Sequence, residues 1–451
     1  MSEEELSGYS GLSREMLVRA RARIGERVRL RLKRGSAEEA VEGLLMPRFE
    51  TEVGDYIVVK LKTGYNVGVK IDSSTKIEVL GKGEEPHFTR PPLPQRTPGL
   101  PNVSIISTGG TIASKVDYRT GAVKPALDAD DLYHVVPELA QVAEVKAKVM
   151  LGVFSENIGP AHWTKIAESV ADEIRNGANG VVIAHGTDTL GYTAAALSFA
   201  LKESPAPVVL VGSQRSSDRP SSDAATNLLA STTVAGHAPF AEVVVAMHDW
   251  ISDEKVAVHR GTKVRKCHTS RRDAFRSVNA SPVAYYDITK RSLQVASEPY
   301  NERHNRKDWT VRSQFDPNVL LVKFHPGLSV GAIDWAIASG YKGIVLEGSG
   351  LGHVGEALYP ALERAAKEGI VIGMCSQCIW GRVHMNVYST GRDLQRIGVI
   401  PLGDMLSETA LTKMMWAFGQ EKDPEKVKKL MLTNIANEFS DRRSLEEAVQ
   451  Y

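Results

Sequence analysis

Four short runs of apolar, mostly β-branched residues, 103–106, 181–184, 208–211 and 243–246, constrain this chain more than any other feature of it. None alternates apolar with polar residues as a half-exposed strand would. A strand apolar on both faces must be covered on both, which is the situation of a parallel sheet sandwiched between helices. Between the first two runs, residues 163–176 have helical spacing and stop at Gly177, a residue suited to a helix C-cap. The pattern breaks over SEPYNERHNRKDWTVRSQFDPN, residues 297–318, and resumes at 319–324, 343–346 and 370–374. This predicts a second, smaller α/β domain.

The segment before residue 86 has a different texture. Val28, Leu30 and Leu32 alternate with Arg29, Arg31 and Lys33, the period-2 pattern of a half-buried strand. Short runs follow at 44–45, 56–61, 67–71 and 77–80, parted by glycine-bearing turns at Gly35, Gly54, Gly64 and Gly81. Five such strands predict a small barrel, closed to avoid exposed edges. Proline removes backbone donors and favours extended chain, so PHFTRPPLPQRTPGLP, residues 86–101, reads as a semi-rigid linker. The expected organisation is a β-barrel over 1–85, a linker over 86–101, an α/β domain over 102–296, a linker over 297–317 and a second α/β domain over 318–451.

Composition excludes several classes. With 55 Lys plus Arg against 54 Asp plus Glu the net charge is +1, so no overall field draws in nucleic acid. The basic stretch from Arg14 to Arg34 is expected to be a solvated face. Three cysteines cannot make a disulfide framework and point to a reducing compartment. No apolar run is long enough to span a bilayer, and the acidic start MSEEELSGYS is unlike a signal peptide. A soluble, cytoplasmic protein is expected. Cys375-Ser376-Gln377-Cys378 has metal-ligand spacing, but a zinc site needs a second pair and only Cys267 is left, so no metal is expected.

Chemistry is concentrated at two strand ends. Ser107-Thr108-Gly109-Gly110-Thr111-Ile112-Ala113-Ser114 follows the first buried run, and His185-Gly186-Thr187-Asp188-Thr189-Leu190 follows the second. In open α/β sheets ligands bind beyond the carboxyl ends of the strands, so both motifs face one crevice. The glycines let backbone N–H groups approach a substrate, as an oxyanion hole requires. Alone, a Gly-Gly turn is ordinary turn chemistry, and a Thr-Asp pair can simply cap a helix. His185 reads as a strand-end histidine bonded to backbone.

TGGTIAS followed by HGTDTL resembles the double signature of the bacterial-type L-asparaginases and glutaminase-asparaginases, over roughly residues 100–440. The resemblance implies that family's fold, a two-domain α/β parallel-sheet sandwich with the larger domain first. It also implies roles. Thr111 matches the primary nucleophile, and Tyr118, in SKVDYRTGA, matches a mobile lid tyrosine. Thr187 and Asp188 match a pair that assists catalysis and holds the substrate's α-amino group, with Gly110 and Gly186 lining the substrate. Counting back from Phe275-Arg276-Ser277-Val278-Asn279, similar to the family's FKSVN, places the catalytic lysine at Lys266, or at Lys263 if a gap intervenes. A partly buried lysine is suited to taking a threonine's proton. One departure is expected: counting places the serine that binds the substrate carboxylate at Pro160, so that contact must come from elsewhere.

The segment before residue 102 refines the resemblance. An asparaginase core preceded by a small β-barrel, with RGTKVRKCHTSRRDAFRSVN and SQCIWGRVHMNVYSTGRDL following, is similar to the glutaminase subunits of archaeal tRNA-dependent amidotransferases. That similarity implies hydrolysis of glutamine and transfer of ammonia to a partner, the amidotransferase's E subunit. The partner converts Glu-tRNA(Gln) to Gln-tRNA(Gln) with ATP and magnesium. This chain itself would hold no cofactor, and its core would be a homodimer. The irregular segment 297–318 and the barrel would be natural contact surfaces. Two alternatives stay open: a stand-alone L-asparaginase with an accessory N-terminal domain, and a binding protein on a dead asparaginase scaffold.

Overall fold

The computed structural model describes residues 6, 8–34, 37–48, 55–62, 66–82, 97–109, 114–116, 123–125, 130, 132, 133, 136–215, 221–297, 299–305 and 308–440. The chain divides into two compact units. One comprises Met1–Leu93, Ala113–Ala126 and Arg215–Ser222; the other comprises Pro94–Ile112, Leu127–Gln214 and Asp223–Tyr451.

The first unit holds helix α1 (Gly11–Arg19) and strands β1 (Glu26–Arg34), β2 (Ala37–Leu45), β3 (Tyr56–Lys60), β4 (Asn66–Lys70) and β5 (Lys76–Lys82). They form one antiparallel sheet in the order β4-β3-β2-β1-β5. Val28, Leu30, Leu45, Ile57, Val59 and Val69 face a common core, joined by Leu17 from α1. The Tyr9 hydroxyl donates to the Met46 carbonyl at 2.8 Å and accepts from the Val58 amide at 3.0 Å, tying the segment before α1 to the sheet. Among the described residues no ladder joins β4 to β5, so the expected hydrogen-bonded closure is not present there. Strand β2 is far longer than its apolar pair Leu44-Leu45 announces, because its outward face is acidic. Arg29 Nε donates to Glu42 at 2.6 Å, and Arg31 Nε donates to Glu78 of β5 at 2.9 Å. The basic row of β1 is therefore a cross-strand ion-pair ladder, open to water and so only weakly stabilising.

The second unit begins with strand β6 (Asn102–Ser107). A hairpin of β7 (Ser114–Val116) and β8 (Val123–Pro125) belongs to the first unit. Then come β9 (Glu144–Val149), α2 (Pro160–Arg175), β10 (Gly180–Ala184), α3 (Leu190–Ala200), β11 (Val208–Val211), α4 (Ala224–His237) and β12 (Val243–His248). Strands β13 (Lys255–Arg260), β14 (Val264–Lys266), β15 (Phe275–Ser277), β16 (Ala284–Asp287) and β17 (Ser292–Val295) follow. The eight-stranded sheet runs β17-β16-β13-β12-β11-β10-β6-β9. Strands β12 to β9 in that order are parallel, as the buried runs require, whereas β13, β16 and β17 extend the sheet antiparallel. From β6 the chain goes outward to β9, then crosses to β10 and proceeds the other way. The carboxyl ends of β6 and β10 thus flank the switch point where such sheets bind ligands.

A smaller parallel sheet follows, of β18 (Val319–Lys323), β19 (Gly343–Gly348), β20 (Val371–Ser376) and β21 (Ile400–Pro401) in sequence order. Helices α5 (Gly331–Ala338), α6 (Tyr359–Lys367) and α7 (Ser389–Ile397) share one core with it through Ile333, Leu362 and Leu394. Helices α8 (Ser407–Gln420) and α9 (Pro424–Leu432) share the other, which also takes in Phe199 of α3. Phe199 and Trp416 lie 5.8 Å apart across this junction. The region expected to be a linker over 297–317 is a strap held at several points. Trp309 is buried beneath Arg175, Ser313 bonds Glu168, and Phe315 meets Trp163 edge-on at 5.5 Å.

Candidate active site

Strand-end loops carry the reactive groups because the strands beneath them are fully buried and their ladders end together. The Thr108 hydroxyl and amide both bond the Ala184 carbonyl at 3.0 Å, clamping the end of β6 to the end of β10. Gly109 has φ +126, and a Cβ there would stand 2.2 Å from the Val153 carbonyl oxygen, so only glycine fits. Gly110, Thr111 and Tyr118, the nucleophile and lid positions of the sequence reading among them, lie outside the described residues.

The loop after β10 is held from below. His185, wholly buried, donates from Nδ1 to the Gly186 carbonyl at 2.7 Å and accepts at Nε2 from the Thr193 hydroxyl at 2.9 Å. Burial depresses its pKa to about 4, so the ring is neutral and acts as a staple. Gly186 is pressed against Ser155: an added Cβ would meet Ser155 Cβ at 2.8 Å and Oγ at 3.0 Å. The Thr189 hydroxyl donates to the Ser155 carbonyl at 2.6 Å. Pro160, where counting placed the carboxylate-binding serine, is instead the first residue of α2. The serine that borders the loop is Ser155, five positions earlier.

The loop's two functional groups converge on one amine. Lys266 Nζ lies 2.9 Å from Thr187 Oγ1 and 2.7 Å from Asp188 Oδ1. Asp188 is largely exposed and Lys266 largely covered. Lys266 ends β14, whose antiparallel partner β15 sets Lys266 opposite Phe275. Lys263 points elsewhere: its Nζ is buried and paired with Asp404 Oδ2 at 2.7 Å. The second face of Thr187 rests on Gly212, where an added Cβ would stand 2.7 Å from the threonine methyl. Gly212 follows β11, and its carbonyl accepts from Asn227 Nδ2 at 3.1 Å. Ser155 and Gly212 were not singled out from sequence, although Gly212-Ser213 stands at the carboxyl end of a buried strand like the other two motifs.

Gly212 supplies a direct test of this packing. Gly212→Ala should lower kcat for amide hydrolysis at least about tenfold, because a displacement of Thr187 approaching 1 Å is costly in a positioned site. Steady-state assays with thermal melts would check it, and an unchanged kcat in a folded variant would show that Thr187 has room to move.

Fold and site together define an asparaginase-like two-domain α/β protein. Residues 102–301 match the family model "Asparaginase, N-terminal" and residues 318–431 match "Glutaminase/Asparaginase C-terminal domain". Among solved structures, the thermostable L-asparaginase from Thermococcus kodakarensis aligns with TM-score 0.66 at 34% identity, covering 76% of this chain and 100% of that one. L-asparaginase I from Vibrio cholerae aligns with TM-score 0.63 at 26% identity, covering 76% and 99%. Residues 22–80 match the "GatD N-terminal domain". The D subunit of glutamyl-tRNA(Gln) amidotransferase from Pyrococcus abyssi is 49% identical over 94% of this chain and 97% of its own length. Its counterpart in Metallosphaera sedula is 48% identical over 98% of each. The chain belongs to the GatD family, the D subunits of glutamyl-tRNA(Gln) amidotransferases.

Proposed function

We propose that this chain is the glutaminase of a tRNA-dependent amidotransferase, releasing ammonia from glutamine for a partner, the E subunit, that amidates Glu-tRNA(Gln) with ATP and magnesium. The observation that carries the chemistry is Lys266 Nζ set between Thr187 Oγ1 and Asp188 Oδ1. The family resemblance and the matched N-terminal domain support the assignment to an amidotransferase rather than to a free L-asparaginase. No helix among the described residues is long and apolar enough to cross a membrane.

The mechanism follows from the groups present. Asp188, exposed at the loop tip, receives the α-ammonium of glutamine in a charge-assisted bond. The Ser155 hydroxyl, beside Gly186, takes the α-carboxylate. With the substrate ammonium on Asp188, Lys266 is left to Thr187, where its amine is placed to take the hydroxyl proton that the reaction releases. Thr111 attacks the side-chain carbonyl carbon, its proton passing by way of Thr187 to Lys266. When the C–N bond breaks, that proton moves to the departing nitrogen, and ammonia leaves. Water then attacks the Thr111 ester, yielding glutamate and restoring the threonine. By the family resemblance, Tyr118 is the tyrosine that assists the first step. ATP and magnesium belong to the partner's half of the reaction, and a homodimer of the core is the expected assembly.

A glutaminase that feeds another subunit wastes glutamine if it runs freely. Ammonia release should therefore rise at least about tenfold when the E subunit and glutamyl-tRNA(Gln) are both bound, a population shift that needs roughly 1.4 kcal/mol of differential binding. A steady-state ammonia assay on the isolated chain, the complex and the complex with charged tRNA tests it. Equal rates in all three, or faster turnover of asparagine than glutamine by the isolated chain, would favour the free asparaginase.

A further inference from the structure

The floor under Thr187 is polar where apolar residues would have filled the space. Gly212 lies one residue beyond the last rung of the β10–β11 ladder, Val211 opposite Ala184, so the sheet does not fix its carbonyl. Side chains at the start of α4 do. Asn227 Nδ2 donates to the Gly212 carbonyl at 3.1 Å and to Asp223 Oδ2 at 2.9 Å. Asp223, the residue before α4, also accepts from Ser213 Oγ at 2.9 Å and from the Gln214 amide at 3.1 Å. Asp223 and Asn227 stand four positions apart, hence on one helix face, and together they grip Gly212, Ser213 and Gln214. Asp223, Asn227 and His248 are all fully shielded from solvent. Burying such groups costs hydration that an apolar filling would not lose. Hydrogen bonds give direction, however, and set the plane of the Gly212 peptide as apolar packing could not.

His248, the last residue of β12, locks the Asn227 amide in its orientation. The Gly212 carbonyl and the Asp223 carboxylate can only accept, so the amide nitrogen faces them and Oδ1 faces the other way. Oδ1 lies 2.6 Å from His248 Nδ1, which therefore donates to it. The other ring nitrogen, Nε2, lies 3.1 Å from Asp253 Oδ1. Arg272 donates to that same carboxylate at 2.6 Å from the tip of the hairpin whose strand β14 ends on Lys266. The links run in a ring, from Thr187 down to His248 and back up through the hairpin to Lys266. The contact at the top is close: an added Cβ at Gly212 would stand 2.7 Å from the Thr187 methyl, while Thr187 Oγ1 keeps 2.9 Å from Lys266 Nζ. A tilt of the Gly212 peptide is therefore felt at the threonine hydroxyl.

We infer that His248 is a positioning residue for amide hydrolysis: by holding Asn227 it fixes the Gly212 turn and, through that turn, the approach of Thr187 to Lys266. The inference rests on the hydrolytic reading of the Thr187–Lys266 pair and names a residue outside the pair on which its geometry depends. His248 is buried beneath the site and touches no substrate. Its effect falls on turnover and not on binding, since Asp188 and Ser155 receive the α-groups of glutamine independently of the Gly212 turn.

The test compares three variants of the full-length chain, assayed with the E subunit and glutamyl-tRNA(Gln), alongside a thermal melt of each. His248→Leu fills the space without a donor. It should lower kcat for ammonia release at least about tenfold while KM for glutamine stays within about twofold. Two amide variants then separate positioning from bulk. Asparagine carries its nitrogen at the place of Nδ1, so His248→Asn keeps the bond to Asn227 and should hold kcat within about threefold of wild type. Glutamine carries its nitrogen further out, at the reach of Nε2, so His248→Gln meets Asp253 instead and should fall with the leucine variant. This pair decides the matter even if the leucine variant fails to fold. Equal kcat for the asparagine and glutamine variants overturns the inference, and so does a rise in KM with kcat unchanged. A wild-type complex that releases ammonia from neither glutamine nor asparagine would instead defeat the hydrolytic reading itself.

Discussion

Replacing Lys266 with arginine is expected to cut glutamine hydrolysis by at least about a hundredfold while the chain stays folded, the scale on which a positioned proton-transfer group acts. Arginine keeps the positive charge, so the pairing with Asp188 at 2.7 Å can be re-formed and the local electrostatics are largely preserved. It cannot serve as a base, and its planar fork does not fit the point at which Nζ touches both Thr187 and Asp188. Stability should change little because the Lys266–Asp188 pair is open to water on the aspartate side. The measurement is kcat with glutamine for the complex, alongside a thermal melt. A folded Lys266→Arg variant keeping more than about a tenth of the rate would remove this lysine from the chemistry.

Lys263 should respond in the opposite way. Its ammonium is buried against Asp404, whose other oxygen accepts from the Ser440 amide at 3.0 Å. Lys263→Met leaves that carboxylate buried with its cation gone, at a cost of about 3–5 kcal/mol, among the largest expected of any single substitution here. The pair joins the turn before β14 to the segment leading into α8, so its loss loosens the two α/β domains from each other. Combining Lys263→Met with Asp404→Asn removes the uncompensated charge and should recover much of the loss. Chemical denaturation of the two single variants and the double variant would show this as strong non-additivity. Additive losses would mean that the two side chains are stabilised independently.

The contrast between these lysines shows where local reading ends. Counting back from Phe275 reaches Lys266 without a gap and Lys263 only with one, but a count cannot show which amine meets the threonine. The hairpin separates them in space: Lys266 lies opposite Phe275 at the end of β14, while Lys263 sits in the preceding turn and points inward. Similarly, β2 was legible only at Leu44-Leu45, because the glutamates that pair with the arginines of β1 carry no apolar signal of their own. The antiparallel strands β13, β16 and β17 carry weaker signals: β16 and β17 are four residues each, and the buried run of β13 ends on polar His259 and Arg260.

What the sequence determined alone is local and periodic. Runs buried on both faces demand a covered parallel sheet, glycines at strand ends demand close backbone approach, and the paired TGGT and HGTD motifs mark the loops of one crevice. The roles of Thr111 and Tyr118 rest on the family resemblance entirely. What the tertiary structure decided is every relation between residues distant in the chain. Ser155 borders Gly186 because the chain crosses back at the switch point between β6 and β10, and Gly212 supports Thr187 because β11 lies beside β10. Lys266 reaches Thr187 across 79 positions because a two-stranded hairpin folds it over the sheet's edge. Such meetings depend on crossover direction and strand order, which long-range packing sets and which no window of sequence encodes.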